Sequence, residues 1–88
     1  MSVDIWYLYV LKCSDGTLYT GISTDPERRL EEHNNSSRGA KYTRARRPVG
    51  DMVLLGNYTN KSDALKAENK FKKLSRQEKI MHIHEGGL

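Results

Sequence analysis

An Asp15-Gly16 turn signal stands between two runs that read as β-strands, and its length decides which side chains can meet. Ile5 to Lys12 is rich in aromatic and β-branched residues, and Thr17 to Ile22 supplies a hairpin partner. A two-residue turn would set Lys12 opposite Tyr19 and send Tyr9 and Tyr19 to opposite faces. A three-residue loop, Ser14-Asp15-Gly16 with Gly16 left-handed, sets Leu11 opposite Tyr19 and Tyr9 opposite Gly21. The two tyrosines then become diagonal neighbours on one face, about 7–8 Å apart at the backbone. The apolar pattern favours this second register. It collects Trp6, Leu8, Val10, Leu18 and Ile22 on the opposite face, and a one-residue slip would swap every side chain across the sheet.

Downstream, Thr24-Asp25-Pro26-Glu27 is a helix start, capped either by Asp25 with Pro26 at the first position or by a Thr24/Glu27 capping box. The helix is expected to reach about Asn34, with Arg29 and His33 sharing a face and Leu30 turned towards the core. Ser36 to Pro48 has no periodicity and reads as a loop. Met52 to Tyr58 reads as a third strand, and Asn60 or Ser62 opens a helix to about Leu74. Ser75 and Glu78 form a second capping box before a short helix to about Ile83, and Gly86-Gly87 is expected to fray. The element order is β-β-α-β-α-α, an α+β arrangement.

Eighty-eight residues fit one domain, 1–88 with a core over about 5–83, and any site on so small a body is an open groove. Fifteen Lys and Arg against eleven Asp and Glu give a net charge of +4, which favours an anionic partner. One cysteine, Cys13, excludes an internal disulfide and reads as a small buried residue near a strand end. No apolar run is long enough to span a membrane and no signal-peptide pattern is present, so the expectation is a soluble, cytoplasmic protein.

Glu68 is the most informative acid. Ala64, Ala67, Phe71 and Leu74 mark the apolar stripe of its helix, and Glu68 lies at the edge of that stripe. A carboxylate there needs a cation, a metal or hydrogen-bond donors. The plain alternative is a salt bridge to a rim lysine or arginine. Phosphodiester hydrolysis needs a nucleophilic water, charge stabilisation on the phosphoryl oxygens and help for the leaving oxygen. One carboxylate can hold Mg²⁺, a guanidinium such as Arg29 can clamp phosphate, and Tyr9 or His33 can orient or deprotonate water. Taken singly, Tyr9 and Tyr19 are ordinary strand residues, Arg29 is a solvated helix residue and His33 complements a helix dipole. Their joint arrangement with Glu68 shifts the balance towards chemistry.

The segment from Ser36 to Pro48 contains no acid but carries Arg38, Lys41, Arg44, Arg46 and Arg47, with Tyr42 among them. A solubilising surface would need no aromatic residue there. The combination favours contact with a phosphate backbone and a stacked base. His82 and His84 stand two apart on a predicted helix, so they point away from each other and make no metal pair.

These residues resemble the GIY-YIG endonuclease superfamily, in its small single-domain bacterial branch, over about Trp6 to Lys79. The two tripeptides stand here as Tyr7-Leu8-Tyr9 and Tyr19-Thr20-Gly21. The helix from Asp25 to Asn34, the Gly39-Ala40-Lys41-Tyr42-Thr43-Arg44 segment and Ala64-Leu65-Lys66-Ala67-Glu68 follow in the expected order. The resemblance implies a three-stranded antiparallel sheet flanked by helices, acting as a metal-dependent nuclease that uses Mg²⁺ or Mn²⁺. It assigns the family's catalytic positions to Tyr9, Tyr19, Arg29, His33 and Glu68, with Glu68 as the metal ligand. Tyr7 replaces the first motif's glycine, Thr20 the second motif's central isoleucine, and Ile22 a lysine of some members. Larger relatives add DNA-binding domains that supply specificity, so the expectation here is DNA cleavage with little sequence preference, in repair or recombination. Two other readings remain open at this point. One is a binding module that keeps the fold without catalysis. The other is a protein-interaction adaptor using Ile80, Met81 and Ile83.

Overall fold

The structure, a computed structural model, describes residues 4–86. Three strands, β1 (Trp6–Lys12), β2 (Leu18–Ser23) and β3 (Gly50–Tyr58), form an antiparallel sheet in the order β2-β1-β3. Four helices complete it: α1 (Pro26–Asn35), α2 (Lys41–Arg44), α3 (Lys61–Lys72) and α4 (Arg76–Gly86). No helix among the described residues is long and apolar enough to cross a membrane.

The hairpin adopts the three-residue loop. Cys13 N–H donates to the Thr17 carbonyl at 2.8 Å, and Gly16 turns the chain at φ +83°, a conformation open to glycine at no side-chain cost. Asp15 accepts from both the Thr17 backbone N–H and its hydroxyl, at 3.0 and 2.6 Å, which braces the turn. Tyr9 accordingly pairs with Gly21, and Leu11 with Tyr19. Along β3 the pairing with β1 slips twice, between Leu8 and Tyr9 and between Val10 and Lys12. Asp51, at φ +48°, sits at the second irregularity, where a short polar side chain tolerates the left-handed region.

Both faces of the sheet are covered. Leu8 and Val10 pack with Phe71, and Leu18, Ile22, Ala67, Leu74 and Ile83 close around them. This is the expected apolar face without Trp6, which lies half-buried with the Lys61 ammonium 5.4 Å from its ring centroid. The tyrosine face is no less buried. Tyr9, Leu11, Cys13 and Val49 form a second cluster under Tyr19, Leu30, Met52 and Leu54. The reason is the Ser36–Pro48 segment, expected as a loop. It folds α2 over this face, and Asn34 ties it down by accepting from Val49 N–H at 2.7 Å and donating to the Val49 carbonyl at 2.8 Å.

Helix ends follow their caps. Asp25, rather than the Thr24/Glu27 pair, caps α1 by accepting from Arg28 N–H at 3.2 Å, with Pro26 at the first position. Asn60 caps α3 through Asp63 N–H at 2.8 Å. Ser75 and Glu78 cap α4 reciprocally, at 3.2 and 3.0 Å. Gly86 ends α4, and Gly87, expected to fray with it, lies outside the described residues.

Candidate active site

β1, β2, α1 and α2 bring five polar side chains, Tyr9, Tyr19, Arg29, His33 and Thr43, to one place. Tyr9 stands mid-strand on β1, 1% exposed, with its ring laid across the backbone of Gly21. A Cβ built on Gly21 would come within 2.5 Å of the Tyr9 hydroxyl oxygen, so only glycine lets the ring lie there. The hydroxyl meets His33 Nε2 of α1 at 2.8 Å, and His33 Nδ1 meets Thr43 Oγ1 of α2 at 2.8 Å. Thr43 in turn donates to the Ala40 carbonyl at 2.9 Å. His33 and Thr43 are both fully buried.

Tyr19 flanks this chain, its ring centroid 5.1 Å from that of His33 in an edge-on arrangement and 6.5 Å from that of Tyr9. The Arg29 guanidinium lies close enough to the Tyr9 phenol to lower its pKa both as a donor and as a positive charge. Burial outweighs Arg29, and the phenol is pushed up to about 12 with Tyr19 and Glu68 adding to the rise. His33 is pushed down to about 4, first by burial and then by the charges of Arg29 and Arg47. At neutral pH the pair is therefore a neutral phenol beside a neutral imidazole.

Arg29 is held in place. Its Nη1 donates to the Arg38 carbonyl at 2.8 Å and to Glu32 Oε1 at 3.3 Å. Glu68 sits on the flank of α3 with its side chain 14% exposed, and Lys72 donates to its Oε1 at 2.7 Å. Both the rim salt bridge and the proximity to the tyrosines thus exist at once. Among the described residues no three His, Cys, Asp or Glu side chains gather into a closed metal cage. A single carboxylate with one oxygen paired to Lys72 suits a hard divalent cation, which accepts one or two protein oxygens and completes its shell with water.

The basic segment divides into two sets. Arg38, Lys41 and Arg44 are exposed, and among the described residues they form no ion pair. Arg46 and Arg47 are engaged. Arg46 bonds Asp15 at 2.9 Å and the Tyr42 carbonyl at 3.0 Å, with its guanidinium 3.7 Å from the Tyr42 ring centroid. Arg47 donates to the carbonyls of Glu32, His33 and Ser36, closing the C-terminal end of α1. Tyr42, stacked at 6.0 Å on Tyr19, is held between Tyr19 and Arg46, so it extends the tyrosine cluster outward from the site. Thr43 and Asn34 had escaped the sequence reading. Each is a small polar residue whose importance comes only from what the fold sets against it.

Comparison with known proteins bears on the fold and the family. Residues 5–81 match the GIY-YIG catalytic domain. A UPF0213 protein of Staphylococcus epidermidis is 48% identical over 84 residues, covering 96% of this chain and 100% of that one. The solution structure of the UPF0213 protein BH0048 from Bacillus halodurans is similar at TM-score 0.52 and 40% identity, over 94% of this chain and 87% of that one. The solution structure of EF2693 from E. faecalis is similar at TM-score 0.51 and 44% identity, over 88% and 81%. With the match running from the start of β1 well into α4, the chain belongs to the GIY-YIG catalytic-domain family.

Proposed function

We propose that this protein is a divalent-metal-dependent endonuclease that hydrolyses DNA phosphodiester bonds with little sequence preference, in repair or recombination. The observation that carries the reading is the Tyr9–His33 contact of 2.8 Å, buried at its inner end and facing Arg29 at its outer end. In this reading Arg29 grips the scissile phosphate with the donors that Arg38, Glu32 and Tyr9 leave free. Tyr9 holds the attacking water, taking its proton while passing its own to His33 Nε2. A phosphate at Arg29 cancels one of the positive charges that depress His33, so substrate itself makes the imidazole a better acceptor. Tyr19 packs the imidazole edge and keeps solvent from it. Glu68 would hold Mg²⁺ or Mn²⁺, which when bound stabilises negative charge on the phosphoryl and leaving oxygens. Arg38, Lys41 and Arg44 contact flanking phosphates.

The test is cleavage of labelled single-stranded and duplex DNA by the full chain in Mg²⁺, Mn²⁺ or EDTA. Product that requires metal is expected. DNA bound in a salt-dependent way without any metal-dependent product would favour a binding module that keeps the fold and lacks catalysis.

A further inference from the structure

Thr43 has no place in the reaction just described, yet it is fully buried and hydrogen-bonded on both sides. The Ala40 carbonyl can only accept, and it takes the Thr43 hydroxyl proton at 2.9 Å beside the Arg44 N–H at 3.0 Å. In that orientation Thr43 Oγ1 faces His33 Nδ1, 2.8 Å away, with a lone pair, and Nδ1 carries the proton. A neutral imidazole has one N–H, so Nε2 is left as an acceptor. The Tyr9 hydroxyl then points its proton inward at Nε2 and keeps its oxygen lone pairs outward. Each direction in the chain follows from the one before it once the Thr43 hydroxyl donates to the backbone carbonyl.

We propose that Thr43 is a positioning residue that fixes His33 in the Nδ1–H tautomer, and through it sets the direction of the Tyr9 hydroxyl. Without this contact the ring is free to take the Nε2–H form, the form a neutral imidazole favours in water. Nε2–H would donate to the Tyr9 oxygen and turn the phenol proton outward, so that Tyr9 has no acceptor for its own proton when it takes one from water. A hydroxyl at position 43 is required and its methyl is not, so Thr43→Ser keeps the chain and Thr43→Val, close in shape, breaks it. Thr43 also lies between Lys41, Tyr42 and Arg44, so the segment offered to the phosphate backbone is the segment that sets the proton.

The catalytic consequence rests on the nuclease reading, whereas the tautomer does not, and the experiment separates the two. Long-range ¹H–¹⁵N correlation on the ¹⁵N-labelled full chain reads which His33 nitrogen is protonated near neutral pH. The Nδ1–H form is expected in wild type and in Thr43→Ser, with Nε2–H or a mixture in Thr43→Val. In cleavage assays kcat should fall on the order of 100-fold in Thr43→Val with KM unchanged, and Thr43→Ser should restore it. Wild type carrying Nε2–H would overturn the proposal even if Thr43→Val does not fold, as would a folded Thr43→Val that keeps Nδ1–H. The expected tautomers in a wild type that cuts nothing would uphold the positioning role and remove the nuclease reading.

Discussion

The Tyr9 hydroxyl lies 2.8 Å from His33 Nε2, a contact between residues 24 positions apart that closes inside the protein. The Arg29 guanidinium stands beside the phenol. Tyr9→Phe keeps the ring over Gly21 but leaves the buried Nε2 without a donor. The expected loss is about 1–3 kcal/mol of stability, with cleavage down at least on the order of 100-fold. Denaturation and single-turnover cleavage on the same preparation check both, and a Tyr9→Phe protein that cuts at the wild-type rate would remove Tyr9 from the reaction.

Acid should weaken the fold through His33. Its pKa is about 4 in the folded chain against an ordinary value of 6.5, because burial and the nearby charges of Arg29 and Arg47 oppose the imidazolium. Between these values the unfolded chain binds a proton that the folded chain refuses. The contribution is complete above the unfolded value and is lost as pH falls towards the folded one, over a span of roughly 3 kcal/mol. Chemical denaturation of wild type and His33→Gln between pH 7 and pH 4 should show their stability gap changing by about that amount. A gap that stays constant would mean that His33 titrates normally.

Gly21→Ala should act at a distance on His33. The added methyl would sit 2.5 Å from the Tyr9 oxygen, so the ring has to move off its strand neighbour. Overpacking of this kind costs about 1–3 kcal/mol. Loss of cleavage should accompany it, read together with the His33 ring resonances. Unchanged resonances would show that the strand yields instead of the ring.

The hairpin was readable because the apolar alternation and Gly16 both demand the same loop. That loop alone places Tyr9 beside Gly21 and Tyr19 beside it on the diagonal. Glu68 was readable from its position at the edge of the α3 stripe. α2 was not, since four residues carry too little periodicity to signal a helix. Nor could the sequence separate the five basic residues of Ser36–Pro48. Arg46 and Arg47 differ from Arg38 and Arg44 only in having Asp15, Tyr42 and the α1 carbonyls within reach.

That division gives contrasting mutants. Neutralising Arg38, Lys41 and Arg44 together should leave stability within about 0.5 kcal/mol and lower the slope of log binding constant against log salt by about 2–3. Arg47→Ala should instead cost roughly 2–4 kcal/mol, since it strips a side-chain donor from three carbonyls at the end of α1, of which that of Glu32 keeps the Ser36 N–H and that of Ser36 the Gly39 N–H. Titrations of DNA at several salt concentrations, beside denaturation curves, distinguish the two sets. An unchanged salt slope in the triple variant would place the backbone contact elsewhere on the protein.

The most direct measurement compares wild type with Glu68→Ala for both binding and cutting of labelled single-stranded and duplex DNA, with Mg²⁺, Mn²⁺ or EDTA. Metal-dependent product is expected from wild type, lost by several orders of magnitude in Glu68→Ala, while both proteins bind DNA with similar affinity. Equal cutting by the two folded proteins would contradict the assignment of Glu68 as the metal ligand. No cutting by a wild type that binds DNA would contradict the enzyme itself.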